Sequence, residues 1–208
     1  MCDSEKKLLM SAALGNAIDL NRLLALHRAR LKRMIMTRLD PRLQGRLDAS
    51  DVVQEVHFEV SQRFNEYLKN PDVPFFNWIR FLAKQKMAEC VRRNINTQMR
   101  DVRREESMAN DRMADSSIAL TRFLIGAAEK PSAALDKEEV NQLVAHAIES
   151  MSELDREILL MRHVEQLSTE EAATELGISV NTCRQRHLRA LQRLRELMAD
   201  LDVHWSGE

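Results

Sequence analysis

The sequence predicts an all-α protein: two small helical domains joined by a flexible linker, the C-terminal one a helix-turn-helix. Three observations carry this. The 208 residues include five Gly and four Pro, and aromatic residues make up 4%. Sheet proteins use more turn residues and more strand-favouring rings. Leu, Ala, Met, Glu, Arg and Gln dominate, and all are good helix formers. Apolar residues recur every three or four positions in two stretches, separated by one that lacks the period.

The first stretch runs from Glu5 to about Asn94. Leu8, Leu9, Ala12, Leu23, Leu24 and Leu31 share the helical spacing, and Pro41 and Gly45 end that run. Ala49 to Tyr67 reads as a second helix, with Val53, Val56, Val60 and Phe64 on its inner face. Asn70, Pro71, Asp72 and Pro74 form a loop. Phe75 opens an aromatic helix in which Trp78 and Phe81 are expected in the core. The spacing places a first domain over 5–105 and a linker over 106–136, with a short helix around Ile118 to Ile125. A second domain follows over 137–200. In it, Ser152 with Asp155 and Ser168 with Glu171 have the spacing of helix-opening caps.

Hydrophobic residues are 44% of the chain, enough for packed cores. Lys and Arg number 31 against 32 Asp and Glu, a net charge of −1. Any nucleic-acid binding must therefore come from segregated charge. Cys2, Cys90 and Cys183 are far apart, which suggests neither a disulfide framework nor a zinc ribbon and fits a reducing cytoplasm. No apolar run approaches the roughly 18 residues that span a bilayer. Lys6 and Lys7 precede only a short apolar stretch with no convincing cleavage site, so the start reads as a soluble helix. There is no P-loop, GxSxG, HExxH or metal-spaced His/Cys set, so neither an enzyme, a metal site nor a cofactor is expected.

The segment from Ser168 to Arg195 is the most informative. A short helix, Gly177 as a left-handed turn residue, and a longer helix make a helix-turn-helix. Ala172, Ala173 and Leu176, then Val180, Cys183, Ala190, Leu191 and Leu194, are expected inward. The outward face carries Asn181, Arg184, Gln185, Leu188 and Arg189, with Thr182 and Arg186 beside it. No acid lies between Glu175 and Glu196, yet five arginines do. Asn, Arg and Gln are residues that read base edges, and the other arginines suit phosphates. A helical hairpin with a solvated arginine face is the alternative.

Other motifs narrow the class. Asp48-Ala-Ser-Asp51-Val-Val-Gln54-Glu55 resembles the D-x-x-D-x-x-Q-E signature of bacterial RNA polymerase sigma factors. The segment from Phe76 to Ala83, with Trp78, resembles that family's F-x-x-W-L-x-x-I-A. Both precede a helix-turn-helix with the lead-in Leu167-Ser168-x-Glu170-Glu171. With only a linker between the domains, the layout is similar to the extracytoplasmic-function (ECF) subgroup. The resemblance covers roughly 8–105 and 137–198.

The resemblance implies partners and sites. Asp48, Asp51, Gln54 and Glu55 would dock on the β′ clamp coiled coil of core RNA polymerase, and the β flap would be a further contact. Tyr67, Lys69, Gln85, Arg92 and Arg93 would meet the minus-ten promoter element, the loop before Phe75 forming a pocket for a flipped base. Gln85 stands where the family carries Asn. Asn181, Thr182, Arg184, Gln185, Arg186, Leu188 and Arg189 would meet the minus-thirty-five element. Many relatives are held by an anti-sigma protein, so such a partner is implied too. His57 and His187 stand where the family has apolar or aromatic residues. Five arginines from Arg92 to Arg104 against Asp101, and a second basic zone between Asp19 and Asp48, offer further DNA paths. The competing expectation is a helix-turn-helix regulator that never joins polymerase, or an interaction module indifferent to Arg184 and Gln185.

Overall fold

The structure is a computed structural model that describes residues 3–39, 48–69, 71–98, 117–121, 123–124 and 137–199. Every regular element among them is helical. The chain divides into two units, Met1–Arg103 and Arg104–Glu208.

The first unit holds α1 (Asp3–Ala13), α2 (Ala17–Arg38), α3 (Ala49–Lys69) and α4 (Phe75–Gln98). The sequence suggests one apolar run through α1 and α2, but the structure breaks it at Gly15. That residue has φ +92°, which a side chain rarely adopts. Asn16 then caps α2, its side chain accepting from the Ile18 and Asp19 N–H groups. Asp48 opens α3 similarly: Ser50 N–H donates to its carboxylate at 2.7 Å. That bond, foremost, holds the Asp48 carboxyl below its ordinary range.

The core of this unit forms where α2, α3 and α4 meet. Leu23, Leu31, Met34, Val53, Val56, Val60, Phe75 and Phe76 have no exposed surface or almost none. Each large side chain so buried contributes about 2 kcal/mol. His27 lies among them, its ring 5.3 Å from Phe76, its Nε2 3.2 Å from the Glu5 carboxylate. That contact ties α1 to the core.

The second unit holds α5 (Lys137–Glu149), α6 (Glu153–Leu159), α7 (Thr169–Leu176) and α8 (Val180–Ala199). A π-turn over Leu160–Val164 continues α6. Buried Arg156 donates from Nη1 to the carbonyls of Ile148, Glu149 and Met151, where α5 ends. One guanidinium thereby gathers the carbonyls at this helix end, including those of Glu149 and Met151. Ala119, Leu120 and Leu124, from the stretch read as linker, pack against Val144, Ile148, Leu160, Ala190 and Leu194. This core therefore takes residues from well before α5.

Candidate nucleic-acid and protein interfaces

The helix-turn-helix is assembled by local chemistry. Ser168 and Glu171 form a reciprocal capping box: Ser168 N–H donates to the Glu171 carboxylate at 2.7 Å, and Glu171 N–H to Ser168 Oγ at 3.1 Å. Gly177 ends α7 at φ +63° and ψ +32°, and its N–H donates to the Ala173 and Thr174 carbonyls. Ser179 accepts from Thr182 N–H at 3.1 Å and so opens α8. Ala172, Ala173, Cys183, Ala190 and Leu194 are buried. Leu176, Ile178, Val180 and Leu191 are half-buried. Asn181, Arg184, Gln185, Leu188 and Arg189 are all exposed or partly so, with Thr182 and Arg186 beside them at the edge of the same face. Arg184 Nη1 donates to Asn181 Oδ1 at 3.3 Å, so two polar groups of this face already share one orientation.

A histidine pair behind this face has no counterpart in the sequence motifs. The π-turn carries His163 and mid-α8 carries His187. Their rings are 5.1 Å apart between centroids and their Nε2 atoms 2.9 Å. Burial, then the neighbouring His163 and Arg162 charges, pushes His187 down to about 4. Burial also lowers His163, with Arg162 adding to it. Both imidazoles are neutral at physiological pH, so one Nε2–H can donate and the other Nε2 accept. Arg162 itself donates from Nη1 to the Leu167 carbonyl just ahead of the capping box.

On α3 the outward face carries Asp51, Gln54 and Glu55, all exposed, while exposed Asp48 stands at the cap. Phe58, 66% exposed, lies on the same face between Glu55 and Gln62. An aromatic ring next to a row of carboxylates suits a basic partner that also offers an apolar pocket. His57, one residue before, is half-buried and lowered by burial first and Arg28 second.

The loop between α3 and α4 is fixed from inside. Tyr67 is buried, and its hydroxyl donates to the Val73 carbonyl at 3.1 Å. Burial, with Glu5 adding to it, pushes that hydroxyl up to about 12. The Tyr67 ring lies 5.0 Å from Trp78 and 5.4 Å from Phe75. Tyr67 thus builds the loop rather than lining its outer surface. Lys69 and Gln85 are exposed, and Arg63 Nη1 reaches Gln85 Oε1 at 3.5 Å. Arg92 is exposed on α4, whereas the Arg93 side chain lies outside the described residues. The basic residues Arg100, Arg103 and Arg104 lie outside them too, as do Arg42 and Arg46.

The aromatic helix departs from expectation at one position. The sequence places Phe81 in the core, yet it is 51% exposed. Phe75, Phe76, Ile79, Leu82 and Ala83 fill the inner face instead, which turns position 81 outward, and Trp78 is half-buried at the edge.

Among the described residues no three His, Cys, Asp or Glu side chains cluster as a metal site, and no helix is long and apolar enough to cross a membrane. Cys90 and Cys183 are buried thiols, and burial foremost raises Cys183.

Residues 141–194 match the family model described as sigma-70, region 4. The RNA polymerase sigma-E factor of Streptomyces antibioticus is 39% identical over 61 residues, 29% of this chain and 34% of that relative. The sigma-E factor of Streptomyces avermitilis is 25% identical over 126 residues, 59% of this chain and 63% of that relative. The chain thus spans less than two thirds of either curated relative. The solved structure of CnrH in complex with the cytosolic domain of CnrY is similar with a TM-score of 0.51. It shares 23% identity, covering 95% of this chain and 99% of that one. At that identity the likeness concerns the fold alone.

Proposed function

We propose that this chain is an extracytoplasmic-function sigma factor, one that recruits core RNA polymerase to promoter DNA and helps to open it. The observation that carries this is the exposed face of α8, free of acids from Asn181 to Arg195, set on a helix-turn-helix within the matched region. Asn181, Arg184, Gln185 and Arg189 would meet the minus-thirty-five element in the major groove. Phosphates would fix the register and amide or guanidinium groups would read base edges. Leu188 adds an apolar contact suited to a thymine methyl.

Asp51, Gln54 and Glu55 would dock on the β′ clamp coiled coil, with Asp48 setting the start of that helix. The β flap is the expected second contact. Lys69, Gln85, Arg92 and Arg93 would meet the minus-ten element, on a loop that Tyr67 holds in shape. Flipped bases and backbone contacts would offset the few kcal/mol needed to unstack each step. A sigma factor performs no catalytic step of its own. An anti-sigma protein would hold the chain inactive in the cytoplasm. That partner follows from the family resemblance; CnrH, similar in fold, was itself solved in complex with the cytosolic domain of CnrY.

Run-off transcription tests the reading. Purified bacterial core polymerase and the full chain should give a defined start on the DNA upstream of the chain's own gene, and neither protein alone should. Duplex binding by the chain without any start would instead favour a regulator that acts apart from polymerase.

A further inference from the structure

His163 and His187 belong to neither the DNA face nor the polymerase face proposed above. They are 24 residues apart, so no metal-ligand spacing marks them in the sequence. The fold brings them together from two elements, His163 on the π-turn and His187 in the middle of α8. Both are half-buried, so packing holds each ring while water still reaches it.

Their Nε2 atoms face each other at 2.9 Å, and the ring centres are 5.1 Å apart. One N–H···N bond fits that gap, and so does an ion. Two imidazoles bound through Nε2 to one tetrahedral Zn2+, with bonds of about 2.05 Å, have ring centres about 5.2 Å and nitrogens about 3.3 Å apart. The ring centres already stand at that separation. A small tilt of the two rings opens the nitrogens by the remaining few tenths of an ångström.

The protonation state suits a metal as well. Burial keeps both imidazoles neutral at physiological pH, and the neutral ring is the form that binds a metal. On binding, the proton of the donating Nε2 moves through solvent to Nδ1 of the same ring, so zinc replaces the hydrogen bond with no net loss of a proton. The Arg162 charge reaches both rings and opposes a cation there. The exposed Glu170 carboxylate feels the same guanidinium and partly offsets it. Among the described residues no third His, Cys, Asp or Glu joins the pair, so water completes the coordination. Such a site exchanges its ion, unlike a closed four-ligand structural site.

We propose that His163 and His187 form a two-histidine site for Zn2+ that ties α8 to the π-turn. This does not depend on the promoter-opening reading.

The test uses the full chain without an affinity tag. Zinc chloride, titrated in competition with a chromophoric chelator, should bind at one equivalent and raise the melting temperature as its concentration rises. His163→Gln and His187→Gln should each weaken binding about tenfold or more, since losing even a group that only supports a metal ligand costs about tenfold. His146→Gln, on α5, should match the wild type. Histidine-ring NMR of the wild type decides the matter even if a Gln variant fails to fold. Zinc should shift the Nε2 resonances of two of the six histidines, the two that share an N–H···N bond before zinc is added. Equal zinc affinity in the wild type and both folded Gln variants overturns the proposal and leaves an adventitious ion only. So do ring shifts confined to other histidines, or a wild type with no saturable zinc binding.

Discussion

The Nε2 atoms of His163 and His187 lie 2.9 Å apart, joining the π-turn to the middle of α8. The bond needs one Nε2 to donate and the other, unprotonated, to accept. The folded chain holds His187 at about 4, against an ordinary value of 6.5. The unfolded chain therefore takes up a proton first as the pH falls. Stability from this site is full above about pH 6.5 and is lost progressively toward pH 4. Melting temperatures of the full chain should drop between pH 7 and about pH 5. His187→Leu should flatten part of that drop, and an unchanged slope would mean the pair does not set it.

Gly177 lies at φ +63°, and a Cβ there would meet nothing within 4 Å. Any cost of adding one is thus backbone strain alone. Gly177→Ala should destabilise the second unit by about 1 kcal/mol, and Gly177→Asn by less. Equal melting temperatures for Ala and Gly would contradict the left-handed turn.

Arg156 supplies three hydrogen bonds from Nη1 to the carbonyls at the end of α5. Arg156→Met keeps much of the volume and removes all three bonds, leaving the Ile148 carbonyl with only the Met151 N–H. Chemical denaturation should show a loss of about 2–3 kcal/mol. A neutral effect would show that water replaces the guanidinium.

On the proposed function, substitutions on the α3 face separate docking from folding. Asp51→Lys with Glu55→Lys should weaken co-purification with core polymerase and leave the melting temperature unchanged, since both are exposed on the helix face. Phe58→Ala should do the same. Asp48→Ala should lower the melting temperature as well, because it removes the acceptor of the Ser50 N–H. Loss of stability in the Asp51 and Glu55 variant would make that face structural.

Arg184→Ala should cost about 1–3 kcal/mol at one upstream base and relax preference there, if the guanidinium reads a base edge. Selection from a randomised upstream element distinguishes this from a phosphate contact, which would weaken all sequences alike.

Local rules made part of this structure readable from the chain. Ser168, Glu171 and Gly177 have their roles fixed by neighbours within four residues. The outward placement of Asn181, Arg184, Gln185, Leu188 and Arg189 follows from a single helical period. The rest depends on distant packing. Phe75, Phe76, Trp78 and Phe81 are all aromatic in sequence, and only the position of α2 and α3 decides that Phe81 faces out. His163 and His187 are 24 residues apart. The π-turn that carries His163 is announced by no periodicity. The resemblance names Tyr67 among the promoter contacts, but its ring is enclosed by Phe64, Phe75 and Trp78.

A chain that brought polymerase to DNA through two separate faces, as proposed, would reveal both in a single assay. That assay is run-off transcription from a randomised promoter library with purified core polymerase. A defined start should appear only with both proteins. It should be lost with Asp51→Lys and Glu55→Lys, and should shift in upstream sequence with Arg184→Ala. Duplex binding by the chain alone, with no start under any condition, would contradict this assignment.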